Sequence, residues 1–270
     1  FEKLKRQVER PNGMVITTGP TGSGKTTTLY AFLEVLNKPG VKIITLEDPV
    51  EYKLVGINQS QIDHSKNYTF ATGLRSILRQ DPDIVMVGEI RDLETADVAI
   101  QAALTGHLLF STIHTNNAAG TIPRFLSMSV KPFLLAPALN AVIGQRLVRR
   151  VCEKCKYKIE LTAEIKKRVE EIIENMPEAV KNETKKKDTV FYEGKGCEAC
   201  NQLGYKGRVG IYEIFMMNPA VEQMILSGQV SEYEIEKAAI ADGMVTMVQD
   251  GVLKSLEGVT ALAEVFRVIE

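Results

Sequence analysis

The sequence predicts an α/β fold: a parallel sheet covered by helices, then a cysteine-stapled segment, then C-terminal helices. Three observations carry this. Short apolar runs alternate with helical patterns between Pro11 and Arg150, four cysteines stand in two pairs, and the pattern from Asn218 onward is helical. Continuously apolar strands separated by helices indicate a parallel sheet buried on both faces. At 270 residues, 44% hydrophobic and 25% charged, the chain can form one large or two modest cores, which excludes disorder and fibrous repeats.

In order, Gly13 to Thr18 reads as a buried strand, and Thr26 to Asn37 as a helix stopped by Lys38-Pro39-Gly40. Val41 to Leu46 is a strand, and Leu54 to Ile62 a hairpin or edge strand. Thr69 caps a helix that buries Phe70, Leu74, Ile77 and Leu78. Ile84 to Val87 is a strand, Glu94 to Leu104 an Ala-rich helix, and Leu108 to Ile113 another strand. Tyr157 to Asp188 holds a Lys/Glu-rich helix with an apolar stripe of Ile165, Val169, Ile172, Ile173 and Met176. Helices after Asn218 break at Gly228, Gly243 and Gly258. These changes of character divide the chain into 1–150, 151–217 and 218–270.

Gly19-Pro20-Thr21-Gly22-Ser23-Gly24-Lys25-Thr26 is a complete G-x-x-x-x-G-K-T between a strand and a helix. Its glycines let backbone N–H groups converge on phosphate oxygens. Lys25 brings a point charge to the β- and γ-phosphates, and Thr26 offers a hydroxyl to Mg²⁺. Glu47, Asp48 and Glu51 follow the second strand, at the carboxyl edge where open α/β sheets bind ligands, and one of them could polarise an attacking water. Gly88 stands where such loops commonly pair with a metal-associated Asp, which leaves Glu89 as the acid. His114 and neighbouring threonines end the last strand and could sense a γ-phosphate. His64 and His107 read as structural or surface residues.

The cysteine pairs Cys152/Cys155 and Cys197/Cys200 each present two thiolates on a tight turn, half of a tetrahedral zinc shell. Forty-one residues separate them, more than the roughly 15 to 20 of a compact ribbon, so the intervening helix must leave and return. Gly196 and Gly204 suit the turns. A redox-active C-x-x-C pair is the alternative. Four cysteines leave no open coordination position, so the zinc would be structural.

The 33 basic and 34 acidic residues give a net charge of -1, which leaves no global field for polyanions, and nucleic acid is not an expected partner. No apolar run approaches the roughly 20 residues of a membrane span, and the charged N-terminus is no secretory signal, so the reading is cytosolic. The chain starts with Phe1, as a piece of a longer polypeptide would. Arg146, Arg149, Arg150, Lys154, Lys156 and Lys158 form either a solvated basic face or a contact with a neighbouring subunit or an acidic loop. Arg75, Arg79 and Arg91 flank the strand ending at Val87 and could link it to the phosphates or to a subunit interface.

Together these boxes resemble the secretion and pilus-assembly ATPase superfamily of type II secretion and type IV pili. Gly19 to Thr26 resembles its Walker A, Glu47 to Glu51 its aspartate box, Leu78 to Asp92 with Gly88-Glu89 its Walker B, and Gly106-His107 with Ser111 to Asn116 its histidine box. The likeness extends through Gln145 to Cys152, Asp242 to Gly251 and Gly258 to Thr260.

The resemblance implies a RecA-like core, ATP and Mg²⁺ as cofactors, and a ring hexamer acting on an inner-membrane platform protein. The protein would then be cytoplasmic and peripherally associated with the inner membrane. Gly19 through Thr27 would hold the nucleotide, including Pro20, Thr21, Gly22, Ser23, Gly24, Lys25, Thr26 and Thr27. Glu47 would polarise water, Glu89 would serve the metal, and His114 would contact the γ-phosphate, with the two acids exchangeable. Tetracysteine segments belong to the assembly and secretion members and not to the retraction type. The family's N-terminal domain covers the nucleotide and contributes arginines. With Lys25 so near the start, this chain alone is expected to hydrolyse poorly and assemble weakly. The competing readings are a nucleic-acid translocase with a zinc module and a nucleotide-dependent switch without turnover.

Overall fold

The computed structural model describes residues 2–186, 189–228 and 230–269. Phe1 and Asp188, two of the positions read above, lie outside the described residues. In chain order the elements are α1 (Glu2–Val8), β1 (Gly13–Thr18), α2 (Lys25–Leu36), β2 (Ile43–Glu47), β3 (Asn58–Gln61), α3 (Phe70–Leu78), β4 (Ile84–Val87), α4 (Leu93–Leu104) and β5 (Leu108–Ile113). There follow α5 (Thr121–Ser127), α6 (Pro132–Ala138), β6 (Leu139–Val151), β7 (Lys156–Ile159), α7 (Ala163–Glu174), α8 (Glu178–Thr184), β8 (Phe191–Gly194) and β9 (Tyr205–Met216). The C-terminal helices are α9 (Pro219–Ser227), α10 (Glu232–Ala241), α11 (Met247–Leu256) and α12 (Leu262–Ile269).

The chain forms two compact units that interleave along the sequence. The first contains residues up to Pro20, Lys25–Gly144 and Ile214–Ala239; the second contains Thr21–Gly24, Gln145–Glu213 and the residues from Ile240 onward.

In the first unit the strands lie in the order β3-β2-β4-β5-β1, with β6 next to β1 and β9 next to β6. All pairings from β3 to β6 are parallel. Every residue of β1, β2, β4 and β5 is buried, so these strands do not alternate between core and solvent, and their polar members, among them Thr17, Thr45, Glu47 and Ser111, are buried as well. β3 is a parallel edge strand, which replaces the hairpin alternative. Thr69 caps α3 in a reciprocal capping box with Thr72. Leu74 and Ile77 are buried as expected, whereas Phe70 and Leu78 are only partly covered and Ala71 and Gly73 fill the core face.

In the second unit the long helix expected up to Asp188 is two helices, α7 and α8, interrupted where Pro177 caps α8. β7 and β8 form an antiparallel ladder at their base, from Lys156↔Gly194 to Ile159↔Phe191. Val169 and Met176 of the stripe join Phe191, Val252 and Leu262 in a core with Ile172 and Ile173 packed against it, while Ile165 is 36% exposed. Gly228 ends α9 in the left-handed conformation at φ 72°, and Gly243 and Gly258 also take positive φ at the expected breaks.

Candidate nucleotide and metal sites

The loop from Gly19 to Gly24 joins a buried parallel strand to α2, and the chain turns through φ angles of 143° at Gly19, 79° at Gly22 and 87° at Gly24. Side chains resist that conformation, so the repeated glycine is a backbone requirement. Lys25 Nζ donates to the carbonyls of Gly19 at 2.8 Å and Pro20 at 3.1 Å, which holds the ammonium within the loop. Thr26 is half-buried; Thr21 and Thr27 are exposed, and Ser23 is buried. Gln145 Nε2 donates to the Ser23 carbonyl at 2.7 Å and braces the loop from β6. The sequence offered Gln145 only as one letter of a longer likeness.

Glu89 and His114 meet at the carboxyl edge of the sheet. His114 Nε2 lies 3.6 Å from Glu89 Oε2, and Arg91 Nε donates to the same oxygen at 2.5 Å. Burial first, and then repulsion from Lys25, push His114 below the usual imidazole range, while Glu89 pulls it back. Lys25, Glu89 and His114 therefore share one electrostatic site, and Arg91 joins it. Arg75 instead pairs with Glu94 at 2.8 Å, and Arg79 caps α3.

His114 is placed by the threonines of its own segment together with Thr18 of β1, which no motif flagged. Thr18 Oγ1 donates to the Ile113 carbonyl at 3.0 Å and accepts from Thr115 N at 2.9 Å, locking the ends of β1 and β5 together. Thr112 Oγ1 donates to the Gly88 carbonyl at 2.7 Å. Gly88 itself has a steric reason: a Cβ there would lie 3.2 Å from the Leu46 carbonyl oxygen and 3.5 Å from Glu47 Cα. An Asp at position 88 would press into β2, so the acid falls one residue later.

Glu47 has different surroundings. It is 2% exposed, and it accepts from the Tyr30 hydroxyl, from Thr45 Oγ1 at 2.5 Å and from Gln59 Nε2 at 3.1 Å. Asp48 pairs with exposed His64 at 3.2 Å, His107 lies against the Ala102 carbonyl, and Glu51 is exposed.

The four cysteines are free thiols gathered at one point, all four sulfurs within 4.8 Å of one another. The Cys152–Cys197, Cys155–Cys200 and Cys197–Cys200 sulfurs are 3.9, 3.8 and 3.7 Å apart. Zinc–thiolate bonds near 2.3 Å give a tetrahedron with edges of about 3.8 Å, whereas a disulfide would need about 2.05 Å. The donor set therefore fits a single tetrahedral metal. Burial opposes ionisation of Cys200, yet the Cys197 and Gly204 amides aimed at its sulfur bring it down to about 6; burial leads in pushing Cys155 up to about 12. The returning backbones touch: a Cβ at Gly194 would lie 1.9 Å from the Gly204 carbonyl oxygen.

The expected basic patch is partly consumed within the second unit. Arg149 donates to Glu264 at 2.5 Å and stacks 4.2 Å over the Tyr205 ring, and Arg267 holds the other carboxylate oxygen at 2.8 Å. Glu264 is 2% exposed; burial opposes its charge, but the two arginines outweigh that and hold it at about 2.

A family model described as type II/IV secretion system protein matches residues 1–267. The chain belongs to this family. It is 45% identical over 267 residues to the type II secretion system ATPase E of Vibrio cholerae serotype O1, covering 99% of this chain and 50% of that protein. It is 46% identical over 262 residues to the type IV pilus assembly ATPase PilB of Myxococcus xanthus, covering 97% and 44%. The chain thus spans about half the length of the curated relatives it matches.

Among solved structures it resembles the pilus retraction motor PilT with bound ADP, at TM-score 0.68 and 27% identity over 99% of this chain and 62% of that one. It also shares its fold with the DotB ATPase of Legionella pneumophila, at TM-score 0.69 and 22% identity over 99% of this chain and 62% of that one. The fold expected from the motifs is thereby established: a RecA-like secretion-ATPase core with a mostly parallel sheet. Among the described residues no helix is long and apolar enough to cross a membrane.

Proposed function

We propose that this chain is the catalytic part of an ATP-hydrolysing motor subunit. In this reading the subunit works as a ring hexamer in the cytoplasm, against an inner-membrane platform protein of a type II secretion or type IV pilus assembly system. The observation that carries it is the convergence of Lys25, Glu89 and His114 at the sheet edge beside a glycine-turned loop, in a chain whose relatives bear those names. The names favour this over the nucleic-acid translocase, and they include ATPases, which argues against a switch without turnover.

The backbone from Gly19 to Gly24, including Pro20, Thr21, Gly22 and Ser23, receives the phosphates of ATP, and Lys25 balances the β/γ charge. Thr27 lies at the same helix start. Thr26 and Glu89 would hold magnesium, which when bound would supply charge neutralisation at the phosphates. His114, kept neutral near pH 7 by burial and Lys25, offers a hydrogen bond to the γ-phosphate; the incoming negative charge opposes Lys25 and favours its protonation. Glu47 polarises the attacking water. Zinc at Cys152, Cys155, Cys197 and Cys200 supplies a structural crosslink. The functional partition is an ATPase core 1–150, a zinc segment 151–217 and a helical segment 218–270, as distinct from the two packing units.

Single-turnover hydrolysis set beside ATP affinity in Glu47→Gln and Glu89→Gln tests the roles. Each variant is expected to bind ATP and stall. Unimpaired hydrolysis in either removes that residue from the mechanism.

A further inference from the structure

We propose that Tyr30 is a positioning residue for Glu47, and that the Tyr30–Gln59 pair links the phosphate-binding helix to the water-polarising acid; this rests on the role given to Glu47 above. Tyr30 is wholly buried on α2, five residues after Lys25, so one helix carries both the phosphate lysine and this clamp. Its hydroxyl donates to Glu47 Oε2 and accepts from Gln59 Nε2 at 3.3 Å. Gln59 also donates to Glu47 Oε1 at 3.1 Å and to the Tyr52 carbonyl at 3.1 Å, and its own Oε1 accepts from Leu54 N at 2.7 Å. The pair therefore joins α2, β2, β3 and the intervening loop at one carboxylate.

The acceptor count gives this clamp a chemical consequence. An ionised carboxylate has about four acceptor positions. Thr45 and Gln59 fill two on Oε1, and Tyr30 fills one on Oε2. One position remains, on Oε2, next to the Tyr30 hydroxyl. The clamp thus fixes which lone pair of Glu47 faces a reacting water, and its donors give a buried carboxyl the hydrogen-bond partners it would otherwise lack. Several groups face it. Tyr52 meets the Tyr30 ring edge-on at 4.7 Å between centroids, and the Glu51 charge acts on the Tyr30 hydroxyl. β3 contributes the neutral Gln59, and Gly88 at the end of β4 brings no side chain. Burial, then the hydrogen bond to Glu47, raises the Tyr30 phenol far above its ordinary value, so it acts as a donor throughout the working pH range.

The test compares Tyr30→Phe, Gln59→Leu and Glu47→Gln in the full-length protein, each first checked for ADP binding. Tyr30→Phe keeps the ring packing and removes one donor. It is expected to lower kcat about tenfold with KM for ATP little changed. Its single-turnover hydrolysis should fall by the same factor while ADP binding is retained, because the ring still packs but the donor that orients Glu47 is gone. Gln59→Leu should likewise lower kcat with KM for ATP little changed, and it decides the matter if Tyr30→Phe fails to bind ADP. A lower Tm with an unchanged kcat in the variant that folds would leave the pair merely structural and overturn the proposal. Full hydrolysis by Glu47→Gln would instead overturn the underlying assignment of Glu47.

Discussion

The glycine-rich loop and the cysteine cluster are assembled in opposite ways. The loop is built from eight consecutive residues whose glycines set the backbone and whose lysine folds onto its own carbonyls. The cysteine site draws on two pairs 41 residues apart, and it exists because β7 and β8 bring the chain back to its starting point. The first is a local device on a preformed sheet edge. The second is a cluster that only tertiary structure assembles, so a metal bound there and the fold around it would depend on each other.

That contrast can be broken most sharply at the metal. Removing zinc with a chelator, or making Cys197→Ser, is expected to cost on the order of several kcal/mol and to lower Tm strongly. Metal analysis of the native protein should find one zinc per chain, and its absence would end the structural-zinc reading.

Next in size is Glu264, the buried carboxylate between Arg149 and Arg267. Glu264→Gln leaves two arginines facing a neutral amide and should cost about 3 kcal/mol in denaturant unfolding. Its pKa is depressed to about 2 in the folded protein, so the stability it contributes is present above the ordinary carboxylate range and lost as pH falls from about 4.5 towards 2. Wild-type and Gln variant stabilities should therefore converge at acid pH; parallel curves would refute the clamp.

In the local device the expected signature is functional rather than structural. Lys25→Ala should reduce ATP hydrolysis by about 100-fold, equivalent to about 2.7 kcal/mol, with Tm nearly unchanged. Equal Mg-ATP binding by variant and parent would contradict the assignment. Gly88→Ala should be smaller, about 1 to 2 kcal/mol of stability, since its Cβ meets the Leu46 carbonyl of a fixed neighbouring strand. Smallest is Thr69→Ala, which loses one half of the α3 capping box at about 1 kcal/mol. A loss of ATP affinity in that last variant would mean α3 is coupled to the site more tightly than a cap allows.

Legibility followed the range of the interactions. β1, β4 and β5 lie where the sequence puts them, because a strand buried on both faces carries an apolar run instead of an alternation, with only small polar residues such as Thr17, Thr18, Ser111 and Thr112 added in β1 and β5. β6 and β9 escaped notice: β6 begins fully buried and ends with exposed Arg149 and Arg150, so neither a continuous nor an alternating pattern emerges. Gln145, Tyr30 and Gln59 escaped for a related reason. Each acts on a residue distant in sequence, and a single polar side chain carries no spacing signal.

Sequence by itself determined the phosphate loop, the order of the first strands and the family, since these depend on backbone geometry and hydrophobic continuity over a few adjacent residues. Tertiary structure decided the rest. It chose Glu89 as the acid that meets His114 and Lys25, wrapped Glu47 in three donors, paired Arg149 with Glu264, and brought four sulfurs to the edges of one tetrahedron. The physical reason is that a buried charge must find partners wherever the fold puts them, and no pattern along the chain records where that will be.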